Sequence, residues 1–461
     1  MDQKIHETEP RFTVWKILYG VLEEHQYSHT EMQRMFREQP QMTARDRAFV
    51  ERLVRGTLEH LYELDALIES CSRLPVRKLK PHIRTVLRMS VYQLRYMDSV
   101  PARAVCNEAV KLTKRLGFGS LRNYVNGVLR NLARSLENGF SVISSETDSV
   151  RQLSLRYSMP EWILKRYFRM FGAAVTEKLL QAQMEPVKLS VYRNPMAGTA
   201  ETLSKELLQS GAACEKLPFG LDGFYIVSSK SPDQLPPFQN GAFLIQDVSS
   251  MLQGKIVAAG KGQYIVDVCA APGGKTLHAA MDMKGTGCVD CADISKAKTD
   301  LIRENAKRLK LTNVKISVRD ALFFNADMEE TADILIADLP CSGLGIIGRK
   351  PEIRYNVSEK DVYDLAALQR KILDTVWRYV KPGGRLIYST CTLTEEEDEE
   401  NYRYLTEQLP FEPESLRPYL TDGPDAETLD RGYLKLIPGI HSCDGFFIGS
   451  AVRSCCIAEG D

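Results

Sequence analysis

The sequence predicts a multidomain protein in which an all-α bundle is followed by a small α/β subdomain and then by an α/β domain with a mostly parallel sheet. Three observations support this prediction. At 461 residues the chain is too long for one ordinary hydrophobic core. Apolar residues recur at helical spacing through the first 140 residues, and strand and helix signals alternate beyond residue 240. We therefore expect domains at residues 1–140, 141–240 and 241–461.

The composition is typical of a cytoplasmic protein with reduced thiols. Charged residues make up 26% of the chain, and no apolar run approaches the roughly 18 residues that a transmembrane helix needs. The first seven residues lack the apolar core of a signal peptide. Eleven cysteines at irregular spacings favour free thiols over a disulfide framework. The single Cys-x-x-Cys, Cys288 to Cys291, has no second pair and lies in an apolar strand-like run, so no metal site is predicted.

Charge is unevenly distributed along the chain. The formal net charge is zero, yet residues 1–135 carry 23 Lys and Arg against 15 Asp and Glu, a net charge of +8. The remainder of the chain carries −8. Residues 1–135 thus form a basic front on an otherwise acidic chain, which suggests that this front binds a polyanion.

Residues 1–140 show helical periodicity throughout. The apolar spacing over residues 49–64 predicts one long amphipathic helix. Pro81 and Pro101 stand where the first turn of a helix tolerates proline, and Gly117 stands where a helix commonly ends. A last helix is predicted over residues 121–132. These helices imply a compact bundle.

One part of this bundle concentrates positive charge. Between Ser70 and Met97 there are seven basic residues and no acidic one. Arg84, Arg88 and Arg95 share a helix face because they are four and seven residues apart. Binding of nucleic-acid phosphates is one interpretation, and a merely solvated basic face is the other. Charge alone does not choose between them.

Residues 141–240 contain a connection and a small mixed unit. A serine-rich linker is predicted over residues 141–149, and a capping box at Ser158 and Glu161 predicts a helix that Gly172 ends. A β-α-β-β pattern follows, with strands predicted over residues 188–192, 214–219 and 224–229 and a helix over residues 199–210. A unit of this size buries little by itself. We expect it to pack against the larger α/β domain and to shape the entrance to it.

The first strand of that domain, over residues 264–269, runs into a glycine-containing turn. Residues 270–274 are small and include two glycines, and Lys275 and Thr276 follow them. The small residues let the backbone approach a ligand beside the start of a helix. The pattern is neither Gly-x-Gly-x-x-Gly nor a Walker P-loop, so a pyrophosphate ligand is disfavoured. A bare strand-to-helix turn is the alternative.

The next three strands each end in an aspartate. Asp293 follows Gly274 by 19 residues, and an acidic residue at about this offset binds ribose hydroxyls in dinucleotide folds. Asp320 and Asp338 end the third and fourth strands. Carboxylates accept hydrogen bonds from hydroxyl and amino groups. Together they predict recognition of an adenosine-like ligand.

Two cysteines also lie at predicted strand ends. Cys341 follows the apolar run over residues 334–337, and Cys391 ends the strand over residues 385–391. Carboxyl ends of parallel strands form the ligand-binding edge of such sheets. A lone cysteine would be read as a small core residue. Here there are two cysteines, each followed by a hydroxyl residue, and Asp338 also lies at a strand end. Together these three residues indicate a site for covalent chemistry.

The remaining elements are structural. An amphipathic helix is predicted over residues 361–380, and a final strand over residues 445–453 completes the sheet. The acidic run over residues 395–400 is interpreted as a helix start, with Thr394 and Glu397 spaced as a capping box. Metal binding by this run is disfavoured.

The front of the chain resembles the NusB-type RNA-binding helical domain. The resemblance covers most of residues 8–135 and is carried by Gly56-Thr57-Leu58, Tyr92-Gln93-Leu94, Asn107-Glu108-Ala109-Val110 and Val125-Asn126-Gly127-Val128-Leu129-Arg130. It implies an RNA partner.

The rest resembles the RNA 5-methylcytosine methyltransferases. The residues that carry this resemblance are Asp267-Val268-Cys269-Ala270-Ala271-Pro272-Gly273-Gly274-Lys275-Thr276, Asp338-Leu339-Pro340-Cys341-Ser342-Gly343 and Ser389-Thr390-Cys391-Thr392. With the NusB-like front, the whole chain is similar to bacterial members of that family that act on small-subunit ribosomal RNA. The resemblance implies a Rossmann-like domain that uses S-adenosylmethionine and no metal. By it, the residues that hold S-adenosylmethionine are Cys269, Ala270, Ala271, Pro272, Gly273, Gly274, Lys275, Asp293, Asp320 and Asp338.

The resemblance also implies roles for the catalytic residues. Cys391 would be the nucleophile that adds to carbon 6 of cytosine, which activates carbon 5 for methylation. Cys341 would assist product release. We expect Asp338 to support the cytosine ring nitrogen and Lys275 to position Asp338. In the reversed arrangement Cys341, the thiol that follows Pro340, would attack and Cys391 would assist release. DNA cytosine methyltransferases resemble that arrangement.

Three other interpretations stay open. Transfer RNA is the closest competitor as substrate, and a non-catalytic RNA-binding adapter fits the basic front alone. A nicotinamide or flavin oxidoreductase fits the alternation of strands and helices, but it leaves both strand-end cysteines unexplained. Ribosomal RNA of the small subunit is the expected partner, no membrane is involved, and nothing calls for more than a monomer.

Overall fold

This computed structural model describes residues 10–228, 230–424 and 426–455. Its chain falls into two compact units. The first comprises residues up to Met184 together with Ile347–Val357, and the second comprises Glu185–Ile346 and the chain from Ser358 onward. The division at residues 140 and 240 stays a prediction. Among the described helices, none combines the length and apolarity that crossing a bilayer requires.

The first stretch of chain is helical where it is described. In order its helices are α1 (Pro10–Glu23), α2 (Ser28–Glu38), α3 (Ala44–Glu59), α4 (Leu61–Cys71), α5 (Pro81–Tyr96), α6 (Ala102–Arg115), α7 (Arg122–Glu137), α8 (Ser149–Tyr157) and α9 (Glu161–Ala182). The predicted all-α bundle is confirmed.

One predicted helix is in fact two. The apolar spacing over residues 49–64 continues across a break, because α3 ends at Glu59, α4 begins at Leu61, and His60 between them is not helical. Helical periodicity does not show such a break, since both helices bury their apolar residues in the same core. The prediction of one long helix was wrong on this point.

Gly56 in α3 is required by close packing. A Cβ atom there would lie 2.0 Å from the ring of Tyr92 in α5. No side chain fits at that distance, so the two helices approach each other only because residue 56 is glycine. Gly56 and Tyr92 both belong to the motifs that resemble the NusB-type domain.

Gly172 interrupts helix α9 at the predicted position. Its backbone has φ 73° and ψ 174°, which is far from helical. The chain returns to helix directly afterwards and continues to Ala182, so the predicted end at Gly172 is a kink within α9. The predicted linker before α8 consists of turns.

The remaining chain alternates strands with helices. Its strands are β1 (Leu189–Arg193), β2 (Ala213–Lys216), β3 (Gly223–Val227), β4 (Phe243–Ile245), β5 (Tyr264–Asp267), β6 (Cys288–Asp293), β7 (Val314–Val318), β8 (Ala332–Asp338), β9 (Val380–Thr390), β10 (Phe411–Pro413), β11 (Tyr433–Leu436) and β12 (Phe446–Arg453). Its helices are α10 (Ala200–Gln209), α11 (Pro236–Gln239), α12 (Val248–Val257), α13 (Gly274–Asp282), α14 (Lys296–Arg308), α15 (Ile353–Asn356), α16 (Glu359–Val376) and α17 (Glu399–Glu407).

The strands form two sheets in the second unit. The larger sheet has the order β10-β12-β9-β8-β5-β6-β7, with β11 paired to β12. Strands β5 to β9 are parallel, and β12 is antiparallel to β9. The predicted mostly parallel sheet is thereby confirmed. The central strands β5 and β8 bury nearly all their side chains, as expected of a sheet covered on both faces.

The smaller sheet is antiparallel, in the order β2-β3-β1-β4. Its first three strands and α10 form the predicted β-α-β-β unit. The fourth strand, β4, pairs with β1 and lies just beyond residue 240, where the sequence analysis had already begun the larger domain. Three residues are too few for their spacing to identify a strand.

Residues Ile347–Val357 leave the second unit and fold with the first. Glu352 is fully buried and accepts hydrogen bonds from the backbone N–H of Ser28 at 2.9 Å and from its hydroxyl at 3.1 Å. Arg354, also buried, donates to the Tyr157 carbonyl oxygen at 2.6 Å, and the Tyr355 hydroxyl donates to that of Leu58 at 2.7 Å. Buried charged side chains thus attach this segment to the first unit. This attachment was not predicted from the sequence.

Candidate active site

A cleft opens at the carboxyl ends of β5 and β8, where open parallel sheets bind ligands. Its volume is about 540 Å³, including space open to solvent. It is lined by Ile245, Gln246, Asp247, Ser250, Asp267, Cys269, Ala270, Ala271, Pro272, Gly274, Lys275 and Asp338. The wall therefore contains most of the residues predicted to bind the cofactor. Residues 245–247 and Ser250, which come from β4 and the start of α12, were not predicted from the sequence.

The turn between β5 and α13 brings backbone to this cleft. Gly273 has φ 105°, a conformation that favours glycine, and a Cβ atom there would lie 3.1 Å from Ile302. The Gln246 side chain donates to the Gly274 carbonyl oxygen at 3.1 Å and lies 2.8 Å from the His278 ring. Gln246 thus ties the turn to the short strand β4 before it.

Asp267 has an acceptor atom with no partner. Its Oδ2 accepts a hydrogen bond from the Thr276 hydroxyl at 2.6 Å, whereas its buried Oδ1 has no hydrogen-bond partner. Burial raises the pKa of Asp267 to about 7. An unsatisfied acceptor in the wall of a cleft fits a ligand that brings an N–H donor, such as the amino group of S-adenosylmethionine. In the sequence, Asp267 begins the motif that runs to Thr276, but no role was predicted for it.

Asp293 and Asp320 lie along the same sheet edge, after the neighbouring strands β6 and β7, but outside the cleft wall. Asp293 is buried and accepts a hydrogen bond from the Ser295 N–H at 3.1 Å, and Asp320 accepts one from the Leu322 N–H at 3.0 Å. Two apolar side chains close to them in sequence are strongly exposed, Ile294 at 66% and Phe323 at 75%. Such uncovered side chains beside strand-end carboxylates suit a flat, partly apolar base.

Lys275 and Asp338 form an ion pair inside the cleft. Lys275 Nζ lies 2.5 Å from Asp338 Oδ2, and the Ser389 hydroxyl donates to Asp338 Oδ1 at 2.7 Å. Burial alone would lower the pKa of Lys275, but the charge of Asp338 and its hydrogen bond raise it, with a further contribution from Cys391. Lys275 therefore carries a full positive charge close to the Cys391 sulfur.

The two strand-end cysteines meet. Strands β8 and β9 are parallel neighbours with Asp338 opposite Ser389, so the loops that follow them run side by side. Cys341 Sγ lies 3.3 Å from Cys391 Sγ. The hydrogen bond to Cys391 and burial raise the pKa of Cys341 well above its ordinary value. Cys341 therefore stays protonated while it faces Cys391.

The acidic run over residues 395–400 does not begin a helix as predicted. Helix α17 starts only at Glu399, and the preceding residues form turns. Glu397 and Asp398 are fully buried. The Thr394 hydroxyl does donate to Glu397 at 3.0 Å, but this pair closes a turn before the helix. The expectation of a helix start directly after Thr394 was therefore wrong, because the helix begins only at Glu399 and the carboxylates before it have buried partners.

Comparison with known proteins bears on this geometry. The family model described as 16S rRNA methyltransferase RsmB/F matches residues 255–451, and that of the NusB family matches residues 8–134. The chain is 34% identical to the probable ribosomal RNA small subunit methyltransferase B of Bacillus subtilis (strain 168) over 421 residues, which are 89% of this chain and 91% of that protein.

The chain belongs to the RsmB/F family of 16S rRNA methyltransferases.

This RsmB/F membership confirms the predicted enzyme class, an S-adenosylmethionine-dependent RNA methyltransferase with a NusB-like front. The oxidoreductase and the non-catalytic adapter are set aside. Solved structures show the same fold. The crystal structure of PH0851 has a TM-score of 0.82 at 24% identity, over 96% of this chain and 98% of that one. NSun6 from Pyrococcus horikoshii with SFG has a TM-score of 0.58 at 22% identity, over 65% of this chain and 99% of that one.

In this RsmB/F chain the predicted arginine face is used internally. Arg84 pairs with Glu23 at 2.5 Å, and Arg88, which is buried, pairs with Asp65 at 2.7 Å. Arg95 lies 3.4 Å from a carboxylate oxygen of Glu63. Arg84 and Arg88 are thus paired within the bundle, so neither a phosphate-binding face nor a merely solvated one describes them, whereas the Arg95 side chain is 40% exposed. Spacing along a helix shows which residues share a face but not what packs against it.

Exposed positive charge lies instead on the connection between α4 and α5. Four exposed basic residues stand here: Arg73, Arg77, Lys78 and Lys80. The first three form no salt bridge with any residue that the structure describes. The Ser72 hydroxyl lies 2.7 Å from the Tyr124 hydroxyl, and Lys80 Nζ lies 5.5 Å from the centroid of the Phe118 ring. These contacts join the connection to a second stretch without acidic residues, between Glu108 and Glu137.

Proposed function

We propose that this RsmB/F methyltransferase methylates carbon 5 of a cytosine in small-subunit ribosomal RNA through a covalent adduct with Cys391. The observation that carries the proposal is the 3.3 Å separation of the Cys341 and Cys391 sulfurs beside the Lys275–Asp338 ion pair. A methyl transfer to an oxygen or nitrogen atom needs no thiol, whereas carbon 5 of cytosine is a poor nucleophile that needs covalent activation.

Cys391 is the proposed nucleophile because a charged amine and a second thiol both lie beside its sulfur. The charged Lys275 interacts with it electrostatically, and the Cys341 sulfur lies 3.3 Å away. The thiolate adds to carbon 6 of the cytosine, which makes carbon 5 behave as an enamine carbon. S-adenosylmethionine supplies the methyl group as an electrophile on its sulfonium. The target base must be out of its stack to reach these residues.

Cys341 is the proposed base of the release step. Its pKa is raised chiefly by the hydrogen bond to Cys391, followed by burial and by the Cys391 charge. Once the Cys391 sulfur is bonded to carbon 6, that bond and that charge no longer hold the proton on Cys341, which passes to water and leaves a thiolate. Cys341 then takes the proton from carbon 5. The bond between sulfur and carbon 6 breaks, and its electron pair returns to Cys391 as the ring double bond is restored.

Asp338 is proposed to bind the cytosine during attack. Addition at carbon 6 places negative charge on the ring, and the ring nitrogen takes up a proton from water, which gives Asp338 an N–H donor to accept from. The nitrogen returns this proton to water when the sulfur leaves. Its hydrogen bond from Ser389 and its ion pair with Lys275 fix the position of the carboxylate. Lys275 therefore acts by positioning Asp338 and by placing a positive charge beside Cys391.

The cleft residues are proposed to hold S-adenosylmethionine. These are residues 269–275 and Asp338, together with Asp293 and Asp320 along the same sheet edge. The unsatisfied Asp267 Oδ1 supports a ligand with an amino group, and the exposed Ile294 and Phe323 support one with an adenine base.

The NusB-like unit is proposed to bind the ribosomal RNA through the exposed residues 73–80. We further propose that the protein works as a monomer in the cytoplasm, which agrees with the ten described cysteines all being free thiols.

Single substitutions of the two cysteines test this function. Cys391→Ala is expected to abolish methyl incorporation into RNA without weakening RNA binding, because the nucleophile is gone. Cys341→Ala is expected to accumulate a covalent protein–RNA adduct on a denaturing gel, because release lacks its base. Cys288→Ala, a thiol at the opposite end of a strand of the same sheet, is the control and should do neither. An adduct that forms in Cys391→Ala would show that the two roles are reversed.

A further inference from the structure

Glu397 is a buried carboxylate at which four hydrogen bonds converge. Its Oε1 accepts from the backbone N–H of Ser342 at 2.8 Å and from the Gln369 side chain at 3.1 Å. Its Oε2 accepts from the Ser342 hydroxyl at 2.5 Å and from the Thr394 hydroxyl at 3.0 Å. None of its side chain is exposed. Burial raises the pKa of Glu397, and the four donated hydrogen bonds oppose that rise because they favour the ionised carboxylate.

These bonds reach the residues next to both sulfurs. Ser342 directly follows Cys341, and Thr392 directly follows Cys391. The two hydroxyl oxygens lie 2.6 Å apart, and Thr392 also accepts from the Leu344 N–H at 3.2 Å. Through Ser342, Glu397 therefore fixes the loop after β8 against the loop after β9. This explains why a hydroxyl residue follows each cysteine.

Glu397 also connects the loops to helix α16. Gln369 of α16 donates both to Glu397 and, at 2.8 Å, to the carbonyl oxygen of Pro340, the residue before Cys341. The Tyr388 hydroxyl donates to the Glu397 carbonyl oxygen and, at 3.0 Å, to Gln369 Oε1. The Cys341 loop is thus held on both sides of the sulfur, and Glu397 contacts both Ser342 and Gln369.

The charge of Glu397 acts on one of the two thiols. It is among the causes that raise the pKa of Cys341, after the hydrogen bond to Cys391, burial and the charge of Cys391. The negative charge of Glu397 thus acts on Cys341, whereas the positive charge of Lys275 lies close to Cys391.

We propose that Glu397 is a positioning residue for the release step: it holds Cys341 against Cys391, so that Cys341 can take the proton from carbon 5. It touches neither sulfur and is not itself catalytic. The inference rests on the proposed function and assigns it a further residue.

Glu397→Gln in the full-length protein tests the inference. The amide keeps the shape of the side chain but removes its negative charge, so the bonds from Ser342 are no longer charge-assisted and hold the Cys341 loop less tightly. The covalent protein–RNA adduct is expected to accumulate, and kcat is expected to fall on the order of a hundredfold, as for a catalytic group displaced by about 1 Å. KM values for RNA and S-adenosylmethionine should not change, because neither ligand contacts Glu397.

Asp398→Asn is the matched control. Asp398 is the next residue in the same turn, is equally buried, and accepts from the Thr390 hydroxyl at 2.6 Å and the Thr394 N–H at 3.2 Å. It contacts neither Ser342 nor Thr392. Its substitution should disturb the turn without accumulating adduct. Equal amounts of covalent adduct in both variants would show that Glu397 only supports the turn. A wild-type turnover rate in Glu397→Gln would overturn the inference outright.

Two further variants make every outcome decisive. Ser342→Ala removes the hydroxyl that donates one of the four hydrogen bonds to Glu397. It should accumulate less adduct than Glu397→Gln, and it tests the inference even where Glu397→Gln does not fold. Cys341→Ala in the same assay reports on the proposed function alone. Absence of adduct there would contradict the proposed function, whereas adduct there but not in Ser342→Ala would contradict only the role of Glu397.

Discussion

Asp267 shows how one buried residue can control ligand binding. Its Oδ2 holds Thr276 at the start of α13, and its partnerless Oδ1 lies in the cleft wall. Because burial raises its pKa to about 7, Asp267 is largely protonated in mildly acidic solution and largely ionised above neutrality. Only the ionised form is a good acceptor for a charged ammonium group.

We expect the affinity for S-adenosylmethionine to rise roughly tenfold between pH 6 and pH 8, as Asp267 passes from about one-tenth to about nine-tenths ionised. Isothermal titration calorimetry across this range measures the effect. Asp267→Asn should bind more weakly and lose the pH dependence. Ser250→Ala, which changes the same wall without an ionisable group, should retain it. A flat profile in the unsubstituted protein would remove Asp267 from the binding site.

At the residue level the sequence predicted which groups meet at the sheet edge. Cys341, Cys391 and Asp338 could be placed together because parallel strands end at one edge, and the structure places them so. The roles of Asp267 and Glu397 could not be predicted, because they depend on burial and on partners that come from other elements. Arg88 was misread for the same reason, since its partner Asp65 lies on a different helix.

The connection between α4 and α5 carries charge that the helices do not offer. Arg77 and Lys78 form a short 3-10 turn, and the Glu69 carboxylate accepts from the Val76 N–H at 2.9 Å. This bond and the contact of Ser72 with Tyr124 hold the connection in place. A fixed surface of this kind binds phosphates with little loss of conformational entropy.

The double variant Arg77→Glu and Lys78→Glu is expected to weaken RNA binding and to reduce the slope of log K against log[salt] by roughly 1 to 2, because each lost phosphate contact releases about one counterion fewer. Fluorescence anisotropy at several salt concentrations measures both effects. Arg45→Glu, an exposed charge reversal in the first turn of α3, is the control and should leave the slope unchanged. Equal slopes in all three proteins would move RNA binding to another surface.

Elements were predicted well where their apolar pattern was long and uninterrupted. Strands β5 and β8 and helix α16 stand close to their expected positions. The pattern did not reveal the break at His60, because both flanking helices face the same core. It also misread the residues before α17, since a run of acids looks the same whether its carboxylates face solvent or bind Ser342 and Lys435.

At the scale of the whole molecule, the first unit is completed by a distant segment of chain. Ile347–Val357 brings Glu352 to Ser28, with a buried carboxylate at the start of α2. The sequence could not show this, because a few apolar and charged residues between two strands are typical of any loop. The domain order, by contrast, was visible from periodicity and charge.

Trypsin reports whether this segment is docked. Arg354 is only 1% exposed, so cleavage after it should be slow in the intact protein. Ser28→Asp places a second carboxylate against the buried Glu352, and the repulsion is expected to undock the segment and to expose Arg354. Mass spectrometry of a brief digest identifies the cut.

Thr30→Asp is the control, an exposed position two residues further along α2. It should leave the digest unchanged. Cleavage at Arg354 in the unsubstituted protein, or none in Ser28→Asp, would contradict tight docking.

The excursion of Ile347–Val357 also has a consequence for synthesis. A ribosome releases the NusB-like helices early, but the last eleven residues that they require emerge only after strand β8 and the Cys341 loop. Until then the first unit lacks its contacts at Ser28, Leu58 and Tyr157, and strand β9 and the strands after it are still to be synthesised. Completion of the front half therefore depends on translation of part of the back half.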